Sequence, residues 1–353
     1  MRLVLLGDGD SPHLLKWARA LAAQPGIELW AASSRGFMAG FEACVPAERR
    51  LALGTQPDAA GGNVALLREL PRLARWLRQV DADWIHAHYL TSHGLLAVLA
   101  RRGWRLRARI AGSAWGSDIL VTPQKSVLLR QATRAVLRAC AVTTSDSQVM
   151  ATRMHELGAG EVMVFPFGLE ALPPAPAAKD DALFFANRGL APIYRPERVL
   201  AQFAALAGER GRLVVANDGS QRAALEVQAA SHGLGERVQF VGRLGADEQA
   251  RWYAAARWYL SLPESDSVSV SVLEAMAHGC IPIVSDLPAN RELVQDGVNG
   301  LVVPGAHLLD AAALHDFAPR ADAAAAQNRI WVEQHALFPP AVARFVARLV
   351  ALS

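Results

Sequence analysis

Two carboxylates eight residues apart, Asp266 and Glu274, flank the serine-rich run Ser267-Val268-Ser269-Val270-Ser271. The alternation of Ser267, Ser269 and Ser271 with Val268, Val270 and Val272 has the period of a strand, whereas "VLEAMAHG" just after it has the period of a helix. Local patterns that disagree in this way are expected where function overrides folding consistency. A serine-rich turn that enters a helix leaves hydroxyls and backbone N–H groups at a helix N-terminus, which carries about half a positive charge. With a carboxylate on either side, the turn suits a diphosphate flanked by hydroxyl-bearing groups. Arg188, which closes "LFFANR", and Arg195 would bring fixed positive charge to the same phosphates. Ser271-Val272-Leu273-Glu274 also matches a capping box, which would give Glu274 a purely structural task at the helix start.

A second group of chemically capable residues lies in the first half. "GDGDSP", Gly7 to Pro12, follows an apolar run and opens a helical one, so Gly9, Asp10 and Ser11 form a candidate phosphate- or substrate-lining loop. Pro12 stands where the dinucleotide fingerprint requires glycine, which argues against a nicotinamide cofactor. Asp8-Gly9-Asp10 has the form of a metal-binding triplet, but a chain with 33 acidic residues produces such triplets by chance, Asp81 and Asp83 being another; no metal is expected. "WIHAHYLTSHG" places His86 and His88 on one face of a strand end, with His93 nearby. Zinc needs three or four ligands, and no clear fourth is present. The alternatives are histidines bonded to backbone, or a neutral imidazole, His88 above all, that touches a sugar hydroxyl. In "SAWGSDIL", Asp118 either accepts hydroxyl protons or caps the next helix.

The elements that must position these residues follow one rhythm. "RLVLLG", "IELWAA", "ADWIHAH", "RARIAG", "AVTTS" and "VMVFPFG" read as strands separated by amphipathic helical stretches, and "ALFFAN", "RLVVAND", "RVQFVGR", "WYLSLP" and "NGLVVP" continue the pattern. Strand-helix-strand repetition implies βαβ units and parallel sheets. "LEALPPAPAAKDD" interrupts it and marks a linker. The expected organisation is an N-terminal Rossmann-like domain over 1–168, a linker over 169–181, a second Rossmann-like domain over 182–330 and a helical tail over 331–353 that packs back on the first domain. Ligands in such sheets bind at the carboxyl ends of strands, so the cleft between two facing domains is the expected site.

The 353 residues exceed one domain's usual length, and with 52% hydrophobic and 20% charged residues the chain is expected to be globular. A net charge of +3 is too mild to argue for nucleic acid. The basic residues are nonetheless clustered: Arg68, Arg72, Arg75, Arg78, Arg101, Arg102, Arg105, Arg107 and Arg109 sit among Leu and Trp, which suits either an anionic membrane surface or a solvated helix face. Three dispersed cysteines suggest neither disulfides nor zinc and fit a reducing cytoplasm. The opening "MRLVLLGDGD" is too short for a signal peptide and no run approaches a membrane span, so any membrane contact is expected to be peripheral.

From "LVVANDGSQ" through "VSVSVLEAMAHGCIPIVSD" to "NGLVVP" the second half resembles the donor-binding domain of the retaining glycosyltransferases of family 4. The first half is similar more loosely, through its first loop, "DWIHAHY", "GSD" and "TTSDSQVMATRMHELGA". The resemblance implies an α/β chain of the GT-B class, two Rossmann-like parallel-sheet domains facing each other across a cleft. It also implies metal-independent, retaining transfer of a hexosyl group from a UDP- or GDP-type nucleotide sugar to a saccharide or lipid-linked acceptor, with no other cofactor. Envelope or polysaccharide synthesis is the implied setting, and a sugar-nucleotide 2-epimerase and a non-catalytic nucleotide-sugar binder are the alternatives.

Residue by residue, Glu274 matches the second of the family's two glutamates, which holds the ribose, and Asp266 falls at the first, which touches the donor sugar, one methylene shorter; Glu264, two residues earlier, is the alternative for that first position. Arg188 matches the family's arginine, while its lysine falls on Tyr194, with Arg195 the nearest cation. Ser267-Val268-Ser269 replaces the usual Gly-Phe-Gly, and Trp115 stands where a histidine is common. The implied donor set further includes Val270, Gly242, Arg243 and Leu244; His88 would support the sugar or acceptor, and Gly9, Asp10, Ser11 and Asp118 the acceptor side.

Overall fold

The apolar run Leu3 to Leu6 is fully buried, as an interior strand of a parallel sheet covered on both faces must be. The computed structural model describes residues 1–55, 64–175 and 178–353, with Val64 described by its backbone alone. It comprises two units, one of Met1–Phe165 with Phe338–Ser353, the other of Pro166–Leu337.

In the first unit, β1 (Arg2–Gly7), β2 (Glu28–Ser33), β3 (Arg50–Ala52), β4 (Trp84–His88), β5 (Arg109–Ser113), β6 (Val142–Ser145) and β7 (Val162–Val164) form a parallel sheet in the order β3-β2-β1-β4-β5-β6-β7. The order reverses between β1 and β4, where Leu3 pairs with Trp84 and Leu5 with His86. The helices are α1 (Pro12–Ala22), α2 (Val64–Arg68), α3 (Leu70–Val80), α4 (Leu95–Gly103), α5 (Ser117–Leu120), α6 (Thr122–Lys125), α7 (Val127–Ala139) and α8 (Gln148–Glu156). Leu73 and Leu77 of α3, Leu96 and Ala100 of α4 and Val136 and Leu137 of α7 share one core with Ile85 and Ile110 of the sheet.

In the second unit, β8 (Asp180–Ala186), β9 (Arg212–Ala216), β10 (Val238–Gly242), β11 (Ala256–Ser261), β12 (Ile281–Ser285) and β13 (Leu301–Val303) form a parallel sheet in the order β10-β9-β8-β11-β12-β13, which reverses between β8 and β11. Its helices are α9 (Pro196–Leu206), α10 (Arg222–Ser231), α11 (Ala246–Ala255), α12 (Val270–Ala277), α13 (Pro288–Arg291), α14 (Ala311–Phe317) and α15 (Ala321–His335). The last helix, α16 (Phe338–Leu352), returns to the first unit, where Phe338 and Phe345 meet the Trp17 ring of α1 edge-on.

The units divide at 165/166 and 337/338, so residues 166–168 and 331–337 fall in the second unit rather than in the N-terminal domain and the tail. Asp180 and Asp181, expected in the linker, open β8; residues 176 and 177 of that linker lie outside the described residues. The strand-like alternation over 267–272 is not a strand. Val268, Val272 and Met276 are four residues apart, and all three are buried in the same core, so the valines follow the face of α12 and its entry turn.

Candidate functional site

The reversal between β8 and β11 gathers the expected residues of the second half, because chain leaving the two central strands diverges there and opens a crevice at their carboxyl ends. Trp258 and Tyr259 of β11 lie in register with Phe184 and Phe185 of β8, which brings Asn187-Arg188 beside the segment that runs from Leu262 into α12. The Arg188 guanidinium has three partners from that segment. Nη2 lies 2.7 Å from the Asp266 carboxylate, and Nη1 donates to Ser269 Oγ and, at 3.3 Å, to Ser271 Oγ. Beneath it the Tyr194 ring lies 4.5 Å from the guanidinium carbon, so Tyr194 supports the cation instead of supplying another. Burial pushes the Asp266 carboxyl up, opposed by Arg188 and by the Ser267 N–H, which donates to it at 3.0 Å.

Arg195 caps α9 in the left-handed region at φ 47° and lies 3.7 Å from Glu197. Glu264 is exposed, and its N–H donates to the Ile193 carbonyl at 3.0 Å, which ties the two loops together. Between Glu264 and Asp266, it is Asp266 that engages Arg188.

Glu274 does not close a capping box. The N-cap of α12 is Ser269, Ser271 lies inside the first turn, and Oε2 of Glu274 accepts from Tyr253 Oη at 3.0 Å and from Gln249 Nε2 at 3.4 Å. The capping-box expectation fails because the helix starts two residues earlier than its spacing requires. Behind Glu274 the network continues into the core, Asn187 Nδ2 donating to Tyr253 Oη at 2.8 Å and Tyr259 Oη to Asn187 Oδ1 at 2.6 Å. Burial pushes the Tyr253 hydroxyl well up, and the nearby Glu274 charge adds to this, so Tyr253 remains a neutral donor. Asn187, Tyr253, Tyr259 and Gln249 were not singled out from the sequence. One sign was available: a polar Asn187 ends the apolar run of β8. The remaining donor-set positions follow β10. Gly242 takes φ 73°, which glycine accommodates, Arg243 is exposed and Leu244 packs on the core.

The N-terminal set lies at the reversal of the first sheet. Gly9 has no room for a side chain: a Cβ would meet the Gly36 carbonyl at 2.3 Å, and its N–H donates to Ser33 Oγ at 2.8 Å. Asp8 lies 3.6 Å from Arg35 and accepts the Asp10 N–H at 3.1 Å, so this end of the acidic triplet shapes a turn. Ser11 is the N-cap of α1 but makes no side-chain capping bond. Asp118 is corrected on both expected roles: it is 1% exposed inside α5, and its two oxygens accept from Leu90 N at 2.8 Å and Trp115 N at 2.9 Å, joining the loops after β4 and β5. Burial raises this carboxyl to about 6 against those N–H bonds.

The three histidines are buried. His86 Nε2 meets Ser113 Oγ at 2.7 Å, and His93 Nδ1 donates to the His88 carbonyl at 2.8 Å. Trp115 Nε1, which can only donate, bonds His88 Nδ1 at 3.1 Å, so His88 carries its proton on Nε2, a buried atom with no protein partner among the described residues. Burial and the neighbouring histidines His86, His93 and His13 hold His88 well below the usual imidazole range. It is neutral, as expected, but both nitrogens are covered, and the half-buried group at this position is Trp115, with Tyr89 stacked 6.2 Å away and His13 at 5.0 Å. Among the described residues no group of three or more His, Cys, Asp or Glu is placed to hold a metal ion.

A sequence model described as glycosyl transferases group 1 matches residues 172–316, and one described as glycosyl transferase 4-like matches residues 2–147, together most of the chain. The chain belongs to the group 1, family-4-type glycosyltransferases. A D-inositol 3-phosphate glycosyltransferase of Frankia alni is 28% identical over 254 residues, 63% of this chain and 62% of that relative. The chain thus spans about three fifths of the length of the first curated relatives it matches. Among solved structures, Anabaena HepE in complex with UDP matches over the whole of both chains with a TM-score of 0.79 at 15% identity. The sucrose-phosphate synthase of Thermosynechococcus elongatus does so at 0.78 and 17%. At these identities the match is one of fold, and the fold is GT-B.

Proposed function

We propose that the chain transfers a hexosyl group from a nucleotide diphosphate sugar, of UDP or GDP type, to a hydroxyl of a saccharide or lipid-linked acceptor, with retention at the anomeric carbon. The observation that carries this reading is Arg188, fixed by Asp266, Ser269, Ser271 and Tyr194 at the start of α12. The chemical requirement is stabilisation of the negative charge that grows on the departing diphosphate. A guanidinium already held in place, together with the N–H groups of a helix start, meets it without reorganisation. The proposed reaction needs no metal ion, because those groups and Arg195 carry the compensating charge.

Glu274, aimed by Tyr253 and Gln249, orients the ribose hydroxyls, and Asp266 the donor sugar. As the bond from the anomeric carbon to the phosphate oxygen breaks, the acceptor oxygen bonds that carbon from the same face. The acceptor proton passes to the leaving phosphate oxygen, so no carboxylate nucleophile is required. The N-terminal loop Gly9–Ser11 is assigned to the acceptor side. The basic faces of α3 and α4 support a setting at an anionic membrane surface, in envelope or polysaccharide synthesis; among the described residues, no helix is long and apolar enough to cross a membrane. The complex of Anabaena HepE with UDP supports a UDP-linked sugar as the first donor to test.

The test is thermal unfolding with UDP, GDP, ADP and dTDP and their common sugars, with and without EDTA. A ligand at 100 times its dissociation constant adds about 2.7 kcal/mol of stability. The expected result is selective stabilisation by one diphosphate, insensitive to EDTA, followed by acceptor-dependent release of that diphosphate. Stabilisation by none of them would overturn the transferase reading. Epimerised sugar without acceptor product would assign the 2-epimerase reaction, and binding without turnover on any acceptor a non-catalytic binder.

A further inference from the structure

Residues 84–145 carry nine cations, Lys125 and eight arginines, against one carboxylate, Asp118, a net of +8 in a chain whose total is +3. Asp118 is buried and bonded to two backbone N–H groups, so the surface of this segment is without compensating charge of its own. The segment contains α4, β5, α7 and β6. Helix α3, with Arg72, Arg75 and Arg78 exposed, packs in the same core as α4 and α7, and Arg78 donates to the Trp104 carbonyl just after α4 at 3.0 Å. Three helices of one core thus carry exposed arginines, Arg72, Arg75 and Arg78 on α3, Arg102 on α4 and Arg138 on α7.

Helix α7 adds what the arginine-rich stretches noted in the sequence lack. It buries Thr133, Val136 and Leu137, while its first two residues, Val127 and Leu128, are 68% and 82% exposed. Val121, just before α6, is 40% exposed as well. Val127, Arg130, Arg134 and Arg138 recur at three- and four-residue spacing, so they share one side of the helix.

We infer that α7 is a membrane-docking helix: Val127 and Leu128 enter the headgroup region of an anionic bilayer while the exposed arginines of α3, α4 and α7 lie along its surface. Charge decides the occupant. A second copy would set +8 against +8, which repels, and a nucleic acid backbone has no use for two exposed aliphatic side chains at the tip of the helix. A bilayer with anionic headgroups satisfies both features, since an interfacial helix combines buried apolar area with attraction to the lipid charge. This deepens the proposed membrane setting and does not depend on sugar transfer.

The test is co-sedimentation of the full chain with phosphatidylcholine vesicles and with vesicles holding about a third phosphatidylglycerol. Binding is expected only to the anionic vesicles and is expected to be lost in about 0.5 M salt, where charges beyond a few ångströms are screened. The double variant Val127→Ser with Leu128→Ser, at positions too exposed to alter folding, is expected to weaken partitioning by about tenfold or more, with unfolding temperature and diphosphate binding unchanged. Wild-type protein that ignores anionic vesicles would overturn membrane docking as a whole. Undiminished binding of the double variant would overturn the role of α7. Equal binding of both proteins to heparin, without vesicle binding, would assign these arginines to a soluble polyanion.

Discussion

Arg188 and Asp266 form an ion pair 2.7 Å long across the reversal of the second sheet, each side chain about one-fifth exposed. The pair joins chain leaving β8 to chain leaving β11, so it fixes the geometry of the site before any ligand arrives. Its carboxylate is disfavoured by burial and its guanidinium is shared with two serines, which makes Arg188 available to a more highly charged anion. Replacing Arg188 by Ala is expected to lower kcat/KM by about two orders of magnitude or more, the range found when one preorganised donor to a developing charge is removed. It should also abolish the thermal shift produced by the diphosphate. A normal shift in Arg188→Ala would assign the phosphates to another cation, Arg195 being the nearest in sequence.

Glu274 is held from behind by Tyr253, which is 1% exposed and bonded to both Asn187 and Glu274. Glu274→Ala should stay folded and lose most transfer activity. Tyr253→Phe leaves Asn187 and Glu274 each short of a partner, with an expected stability loss of about 1–3 kcal/mol and a raised donor KM. Urea unfolding and initial rates measured on the two variants separate these effects. Full activity in Glu274→Ala would remove Glu274 from the site.

The alternation of strand and helix was legible in the sequence because parallel strands buried on both faces are continuous apolar runs. The three-residue β3 offers too short a run to be read. Asp266, Glu274 and Arg188 were legible as chemistry. What joins them was not: Asn187 and Tyr253 are 66 residues apart and Tyr259 is 72 from Asn187, and such bonds leave no trace in local spacing. The serine-valine alternation misled because a turn followed by a helix can bury every fourth residue and still alternate over six. Asp118 and His88 misled differently. Both types suit a site, but burial and backbone bonding gave Asp118 to loop closure, and Trp115 covers His88.

Trp115 fixes the tautomer of His88 through one bond of 3.1 Å. Phe at 115 would keep the ring beside Tyr89 and His13 but remove the donor, so Trp115→Phe is expected to let His88 place its proton on either nitrogen. Nitrogen-15 NMR of labelled histidine reads this directly, as a single Nε2–H pattern in the wild type and a mixture in the variant. An unchanged pattern in Trp115→Phe would show that the surrounding core sets the tautomer.

The histidine cluster also predicts how the first unit responds to acid. Burial holds His86 at about 3 and His93 at about 4, against an ordinary value of 6.5, so both are neutral when folded and take up protons when unfolded. Their contribution is fully present above pH 6.5 and is lost as pH falls toward those values, at about 1.4 kcal/mol per pH unit for each group. Asp118 acts in the opposite sense. Raised to about 6, it adds stability as pH falls from there toward 3.8, so it partly offsets the histidines in the same window. Urea midpoints should therefore decline between pH 6.5 and pH 4.5, less steeply in His86→Asn and more steeply in Asp118→Asn. Identical slopes in His86→Asn and the wild type would mean that His86 is already solvated and charged in the folded chain, contrary to its place between Trp17 and Ser113.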